Sequence, residues 1–240
     1  MLAFPEMLKS SVKRVFSKRS GASKQFFEKG MDLLAIILSI YLALSIEGWA
    51  EKRNEHKKLL QYYENMTNEL VKDTVSIARV IADAKMHMQS GERQLKLLKE
   101  YKPENQDTIS NLFRRTLSSE IFGSSSMVSY QSMVVSGEIK LIEDLKVRAK
   151  LIELDEEYKS LKIWEDLYLD FFRNELMDAF FQSFDLLDMR MLDKEYYKKA
   201  LYRNLVVKYY SFNMSRYEEA KKAMIQAKET YMLLLEALHK

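Results

Sequence analysis

Leu33 to Ile46 runs for fourteen residues without a charge, and from Gly30 to Trp49 the stretch reaches twenty, with Asp32 and Glu47 near its ends. A helix needs about 20 mostly apolar residues to cross a bilayer, so the length suffices once both acids sit at the interfaces. Trp49 suits the headgroup level on one side, and Phe26 and Phe27 suit it on the other. Two other readings compete. A buried helix of a soluble protein rarely comes with a basic tail and an aromatic edge. A signal peptide could be cut at Ala43-Leu44-Ser45, but the segment before the apolar run is about thirty residues long, unusual for a signal peptide. The helical pattern also continues through Glu51 and beyond. An uncleaved signal anchor is expected.

Charge sets its direction. Residues 1–58 carry eleven Lys and Arg against six Asp and Glu, a balance of +5, while the rest of the chain stands at −2. A nucleic-acid binder more often carries its excess on the folded domain, so nucleic acid is not an expected partner. Seven basic residues precede the span and four follow it closely. The positive-inside rule then puts the N-terminus in the cytoplasm and the C-terminal part in the periplasm, with the span in the inner membrane. Residues 7–19 place Leu8, Val12, Val15 and Phe16 on one side of a helix with lysines around it, which suits either an anionic lipid surface or a plain basic tail. Within the span Ala35, Ser39 and Ala43 recur every four residues, a small-residue stripe along which two copies could approach in lipid. Asp32, Glu47 and Trp49 are the expected membrane-interface residues.

The remainder reads as helix. Six Gly and two Pro in 240 residues are few for a sheet-rich fold, which needs turns. From Leu59, apolar or small positions step by three and four through Tyr63, Met66, Leu70, Thr74, Ile77, Ile81, Ala84, Met88, Gly91, Leu95 and Leu98; the step from Leu70 to Thr74 alone breaks the alternation. A helix from Gly30 to Tyr101 would be roughly 105 Å long, with Gly48 and Gly91 as places to bend. Pro103 ends it. Asp107 or Thr108 can cap a short helix to about Ser118, and Ser126 another that closes at Gly137. Asp144 can cap a long helix to about Phe184, "FDLLDMRMLD" reads as a connector, and Asp193 can cap the last helical region, with a break allowed near Asn213. The expected fold is all-α: a single N-terminal transmembrane helix continuing into a long helix, then an antiparallel helical bundle of coiled-coil type. Its parts are a basic segment (1–29), the span (30–49) and an extramembrane bundle (50–240).

Two stretches carry a resemblance. "LALSIEGWAEKRNEHKKLLQYYENMTNEL" resembles the juxtamembrane signature of a domain-of-unknown-function family of bacterial single-span proteins, abundant in Bacteroidota, that reads Ile-Asn-Asn-Trp-Asn-Glu after the span. Trp49 and Glu51 match that signature; Glu47, Gly48 and Ala50 replace its asparagines. "YQSMVVSGEIKLIEDLKVRAKLI" is similar to the family's Ser-Gly-x-(Leu/Ile)-x-Leu-Ile segment through Ser136, Gly137, Ile139, Leu141 and Ile142. The resemblance implies a helical single-span protein and no catalytic activity.

Chemistry-bearing patterns are sparse. With no Cys, thiolate metal sites, disulfides and cysteine nucleophiles are excluded. Glu236 and His239 have the Glu-x-x-His spacing of di-iron bundles, but that centre needs a second copy, so no metal or cofactor is expected. No phosphate-binding loop or hydrolase elbow is present, and no catalytic residue is assigned. The aromatic segment with Trp164, Tyr168, Phe171, Phe172 and Phe180 reads either as bundle core or as a patch for a partner or lipid. The expected function is that of a membrane-anchored scaffold or accessory subunit, homo-oligomeric, contacting lipids and a further protein partner. Alternatives are an ion-conducting oligomer with acidic rings at Asp32 and Glu47, and a bundle binding a lipid or small ligand.

Overall fold

The computed structural model describes residues 6–116, 127–185, 187, 190–193 and 195–239, without the side chains of 6–30, Asp32 and Arg190. The amphipathic face at 7–19, the Asp32 side chain and the Ser126 cap therefore lie outside what is described. The chain divides into two compact units, Met1–Lys57 and Lys58–Lys240.

The described residues of the first unit all belong to helix α1 (Glu6–Lys99). Its apolar run is uncovered among the described residues: the large side chains from Leu33 to Ile46 are 52–67 % exposed. The hydroxyls of Ser39 and Ser45 donate to the carbonyls of Ala35 and Tyr41, each at 2.7 Å. A serine that closes onto its own helix carries no unmet polar group into lipid.

The second unit is a helical bundle. After α1 come α2 (Gln106–Arg115), α3 (Val128–Val135), α4 (Leu145–Phe171), α5 (Met177–Ser183) and α6 (Ala200–Leu238). A π-helical turn, Phe172–Leu176, joins α4 to α5, and 3-10 turns precede α2, α4 and α6. The local signals act largely as expected. Pro103 opens a 3-10 turn after α1. Gly137 closes α3 with φ of 73°, the left-handed conformation glycine adopts without strain. The Asp144 carboxylate accepts from the amides of Lys146 at 2.8 Å and Val147 at 3.4 Å. At α3 the capping is long-range: Glu69 of α1 accepts from the amide of Ser129 at 3.2 Å and from its hydroxyl at 2.6 Å.

Several features differ from the sequence reading. Helix α2 starts at Gln106 behind Asn105, so neither Asp107 nor Thr108 caps it, and Asp193 accepts from the Glu195 amide ahead of the 3-10 turn and does not cap α6. The connector after α5 contains a two-residue antiparallel ladder, β1 (Phe184–Asp185) with β2 (Arg190–Met191), pairing Phe184 with Met191. Helix α6 runs unbroken through Asn213, whose side-chain amide donates to the Tyr209 carbonyl at 2.9 Å, so the break allowed there does not occur.

Cross-helix bonds fix the directions. Ser160 donates to Glu219 at 2.9 Å and Glu165 meets Arg216, so α4 and α6 are antiparallel. Tyr202 donates to Gln94 at 3.0 Å and His87 meets Tyr209, so α1 and α6 are antiparallel as well. Helices α1 and α4 therefore run parallel, and the chain between them must return along the bundle, which α2 and α3 accomplish. Glu138, just after the Gly137 turn, pairs with Lys58 and accepts from Tyr62 at 2.6 Å, completing that return.

The buried seam of α1 departs from the sequence seam after Leu70. It follows Asp73, Ile77, Val80, Ala84, His87, Gly91, Gln94 and Leu98 in strict alternation of four and three. Thr74, Ile81, Met88 and Leu95 are half-buried flanks. Apolar packing forms two clusters. One joins Met66, Leu70, Ile77 and Val80 of α1 to Leu151, Leu154 and Leu161 of α4 and to Ala220, Ala223 and Ala227 of α6. The other gathers Leu98, Phe113, Tyr168, Phe171, Phe180 and Tyr202. Alanines on α6 let the helices come close. Gly91 does the same elsewhere, since a Cβ there would stand 3.1 Å from the Tyr210 Cβ and 3.3 Å from its Cα.

Two measurements check this packing. Helix propensity alone would make Gly91→Leu stabilising by about 0.8 kcal/mol. The close backbone approach instead leads us to expect a loss of about 1–3 kcal/mol in urea unfolding followed by circular dichroism. Burial, with the nearby Asp144 carboxylate, pushes the Tyr63 hydroxyl up to about 12, and burial pushes that of Tyr197 up to about 12. Each folded-state value exceeds the unfolded one, so the folded chain binds more protons above pH 10. Stability is complete below pH 10 and is expected to fall between pH 10 and 12, by about 1.4 kcal/mol per pH unit for each tyrosine. Tyr63→Phe should flatten that fall in alkaline unfolding curves.

Candidate functional site

Between the two apolar clusters lies a layer of buried charge. Arg216 of α6 is fully buried, at 0 % exposure, and it gathers a partner from each facing helix. Its Nε donates to Glu165 Oε1 at 2.8 Å and its Nη2 to Oε2 at 3.2 Å, a two-point contact with α4. Its Nη1 donates to the Asn213 Oδ1 at 3.0 Å and stands 3.6 Å from Asp83 Oδ2 on α1. That last distance is beyond hydrogen-bond reach, so Asp83 acts on Arg216 through charge alone. The guanidinium lies 4.2 Å from the centre of the Tyr168 ring, whose face favours a cation. Burial opposes the charge of Arg216, but the Glu165 carboxylate outweighs it and holds the guanidinium pKa above its ordinary value.

Asp83 turns its other oxygen to His87, one helical turn on, at 3.3 Å from Nε2. The second ring nitrogen, Nδ1, meets the Tyr209 hydroxyl of α6. A neutral ring with its hydrogen on Nε2 satisfies both contacts: it donates to Asp83 and accepts from Tyr209. The layer thus ties α1, α4 and α6 with two carboxylates, one guanidinium and one imidazole. What it can do chemically is structural: these groups engage one another and fix how the three helices slide past each other.

The residues singled out in the sequence fall in different places. Glu47 and Trp49 are exposed on α1, with the Arg53 guanidinium 5.6 Å over the Trp49 ring. Ala35, Ser39 and Ala43 are exposed along the same helix. Tyr168, Phe171 and Phe180 are buried, whereas Trp164 and Phe172 are half-buried and flank the core. Phe171 stacks on Phe212 with centroids 5.2 Å apart, and Trp164 meets Phe212 edge-on at 6.3 Å. The aromatic segment is thus mainly core, with Trp164 and Phe172 at its margin. Among the described residues, no group of three or more His, Asp or Glu side chains is placed to hold a metal ion; Glu236 and His239 are exposed.

Asp83, His87, Glu165, Asn213 and Arg216 were not foreseen. Their signal was nonetheless present: each occupies a three-or-four step between buried neighbours, as in Tyr209, Asn213, Arg216, Ala220 and Ala223. A search restricted to apolar residues passes over it.

One helix of the described residues is long and apolar enough to cross a membrane, and a helical bundle with a charged layer through its core accompanies it on the same chain. The family model described as a family of unknown function, DUF6090, matches residues 32–214, and the chain belongs to that family. This agrees with the resemblance to a domain-of-unknown-function family noted at residues 42–70 and 130–152. No curated protein and no solved structure matches the chain.

Losing one partner of a buried charge network strands the others. Arg216→Met is expected to cost about 3–5 kcal/mol in urea unfolding. Adding Asp83→Leu and Glu165→Leu to it is expected to restore most of that loss, because apolar side chains can fill the layer without stranded charge.

Proposed function

We propose that the chain is a membrane-anchored helical scaffold or accessory subunit that works by binding protein, without catalysis. The observation that carries this reading is the uncovered apolar run. Ten large side chains between Leu33 and Ile46 stay exposed in the folded chain. Each would forgo about 1.5–3 kcal/mol if left in water, so lipid is the medium in which this helix is stable. The basic residues before the run support an N-terminus in the cytoplasm and a bundle on the opposite side of the inner membrane. Trp49 beneath the Arg53 guanidinium suits the headgroup level, with Glu47 at the same boundary.

The bundle supports an interaction role because its buried charges engage one another within the core. The exposed Ala35, Ser39 and Ala43 stripe supports self-association of the span, since small residues let two helices approach in lipid. A homo-oligomer would place several bundles side by side and give one partner several docking faces.

Carbonate extraction of membranes tests the anchor. The full chain is expected in the pellet, and Leu38→Arg with Ile40→Arg is expected to move it to the supernatant, since each arginine at the centre of a span costs about 2.5–3.5 kcal/mol. A wild-type chain released by carbonate would remove the reading. Crosslinking in native membranes then tests association: a dimer band weakened by Ala35→Leu supports the stripe, and a single monomer band for both chains defeats it.

A further inference from the structure

The side of α1 turned away from the core is itself patterned. Val71, Val75, Ala78, Ala82 and Met86 follow one another at steps of three and four, and all are exposed. At 3.6 residues per turn they fall within about 80° of arc and form a single row roughly 22 Å long. Single apolar side chains on a surface are ordinary, whereas a contiguous row marks a place of contact. Ala78 and Ala82 lie in its middle, and small residues there leave room for the side chains of another helix between Val75 and Met86.

The charges beside the row supply a second observation. Lys72 and Arg79 stand along one edge and Lys85 along the other, all exposed. None of the three has a hydrogen-bond or ion-pair partner among the described residues. From Lys72 to Gln89 α1 exposes no acid, because Asp73 and Asp83, the two acids of that stretch, are buried. Several lysines on α4 and α6 are instead paired within their own helix: Lys159 lies 2.7 Å from Asp155, Lys162 2.9 Å from Asp166 and Lys222 2.7 Å from Glu219. Such pairs stabilise a helix surface by about 0.2–0.5 kcal/mol each, and this face of α1 forgoes them. Two copies meeting through it would set base against base, so a second copy is not its complement.

We infer that this face of α1 docks an acidic amphipathic helix of another protein. Apolar side chains of that helix pack over Ala78 and Ala82 between Val75 and Met86, and carboxylates flanking them meet Lys72 and Arg79 on one edge and Lys85 on the other. Helices recognised in this way present their anchors at i, i+3, i+4 and i+7, which is the spacing of the row itself. The inference rests on the scaffold reading above and gives its protein partner a chemistry. The face lies wholly within the second unit.

The test is fluorescence anisotropy with the full chain in lipid nanodiscs and three labelled peptides of about 20 residues, long enough to cover the row at 1.5 Å per residue. One is a helix with leucines at three-four spacing and glutamates flanking them; the second replaces its glutamates with lysines; the third scrambles the first. Saturable, salt-sensitive binding of the first peptide alone is expected. Arg79→Glu with Lys85→Glu should weaken it by about tenfold or more and create binding of the lysine peptide. Val75→Gln with Met86→Gln should weaken it as well, whereas Arg203→Gln, at an exposed position of α6, should leave it unchanged. All these positions are exposed, so the variants should keep the wild-type melting temperature. Absence of saturable binding of the first peptide overturns the inference, and so does equal binding of the scrambled one, which reports attraction by charge alone. The chain has no cysteine, so Ala78→Cys reports on a second copy. A disulfide-linked dimer formed in native membranes and undiminished by the glutamate peptide also overturns the inference. Carbonate extraction reads the anchor separately, so a failed docking face and a failed scaffold reading are told apart.

Discussion

The bundle depends on one guanidinium. Arg216 cannot be buried alone, because a charge drawn out of water costs several kcal/mol even after the protein relaxes around it. Its stability is conditional on Glu165 and Asn213 at hydrogen-bond distance, on Asp83 just beyond it, and on the Tyr168 ring beneath. Those partners come from three helices. The layer is satisfied in one arrangement of α1, α4 and α6, and a slip of one turn would leave at least one charge unmatched. Apolar seams are permissive by comparison, since Leu, Ile and Ala tolerate several registers. The polar layer selects among packings that the two apolar clusters would each accept.

Close approach makes the selection possible. Arg216 can reach both neighbours because α6 carries Ala220, Ala223 and Ala227 on its inner side, and because Gly91 admits the backbone of α6 at Tyr210. Larger residues there would widen the gap and stretch contacts that are already 2.8–3.6 Å long. Small residues and buried charge are parts of one device. The apolar run of α1 works on the opposite principle: its ten large apolar side chains find no counterpart among the described residues, and its serines turn back onto their own backbone.

Much of the architecture can be read from the residues, because it follows from local rules. Pro103, Gly137 and Asp144 end or start elements wherever they stand, and the apolar run at 33–46 announces itself by length. The antiparallel pairing of α1 with α6 follows from two long patterns and the turns between them. What eludes such reading is whatever three separated segments decide together. After Leu70 the seam steps to Asp73 and not to Thr74, and the buried positions that follow include His87 and Gln94, which meet Tyr209 and Tyr202 of α6. A rule that expels charge from cores must miss Asp83, His87, Glu165 and Arg216. Glu69 at the start of α3 is the same case in miniature: its carboxylate does the work of a cap from sixty residues away. The two-residue ladder at Phe184 and Met191 had no alternating pattern long enough to mark it.

The order of synthesis gives the charged layer a further consequence. Asp83 and His87 leave the ribosome first, Glu165 follows, and Arg216 comes about 130 residues after Asp83. At ordinary rates of translation, roughly 5–20 residues per second, the carboxylate waits on the order of ten seconds for its counter-ion. Throughout that interval only His87, one turn away, and water can meet it. The middle of the bundle must therefore stay wet while its flanks are already able to collapse, and it dries only when the final helix arrives.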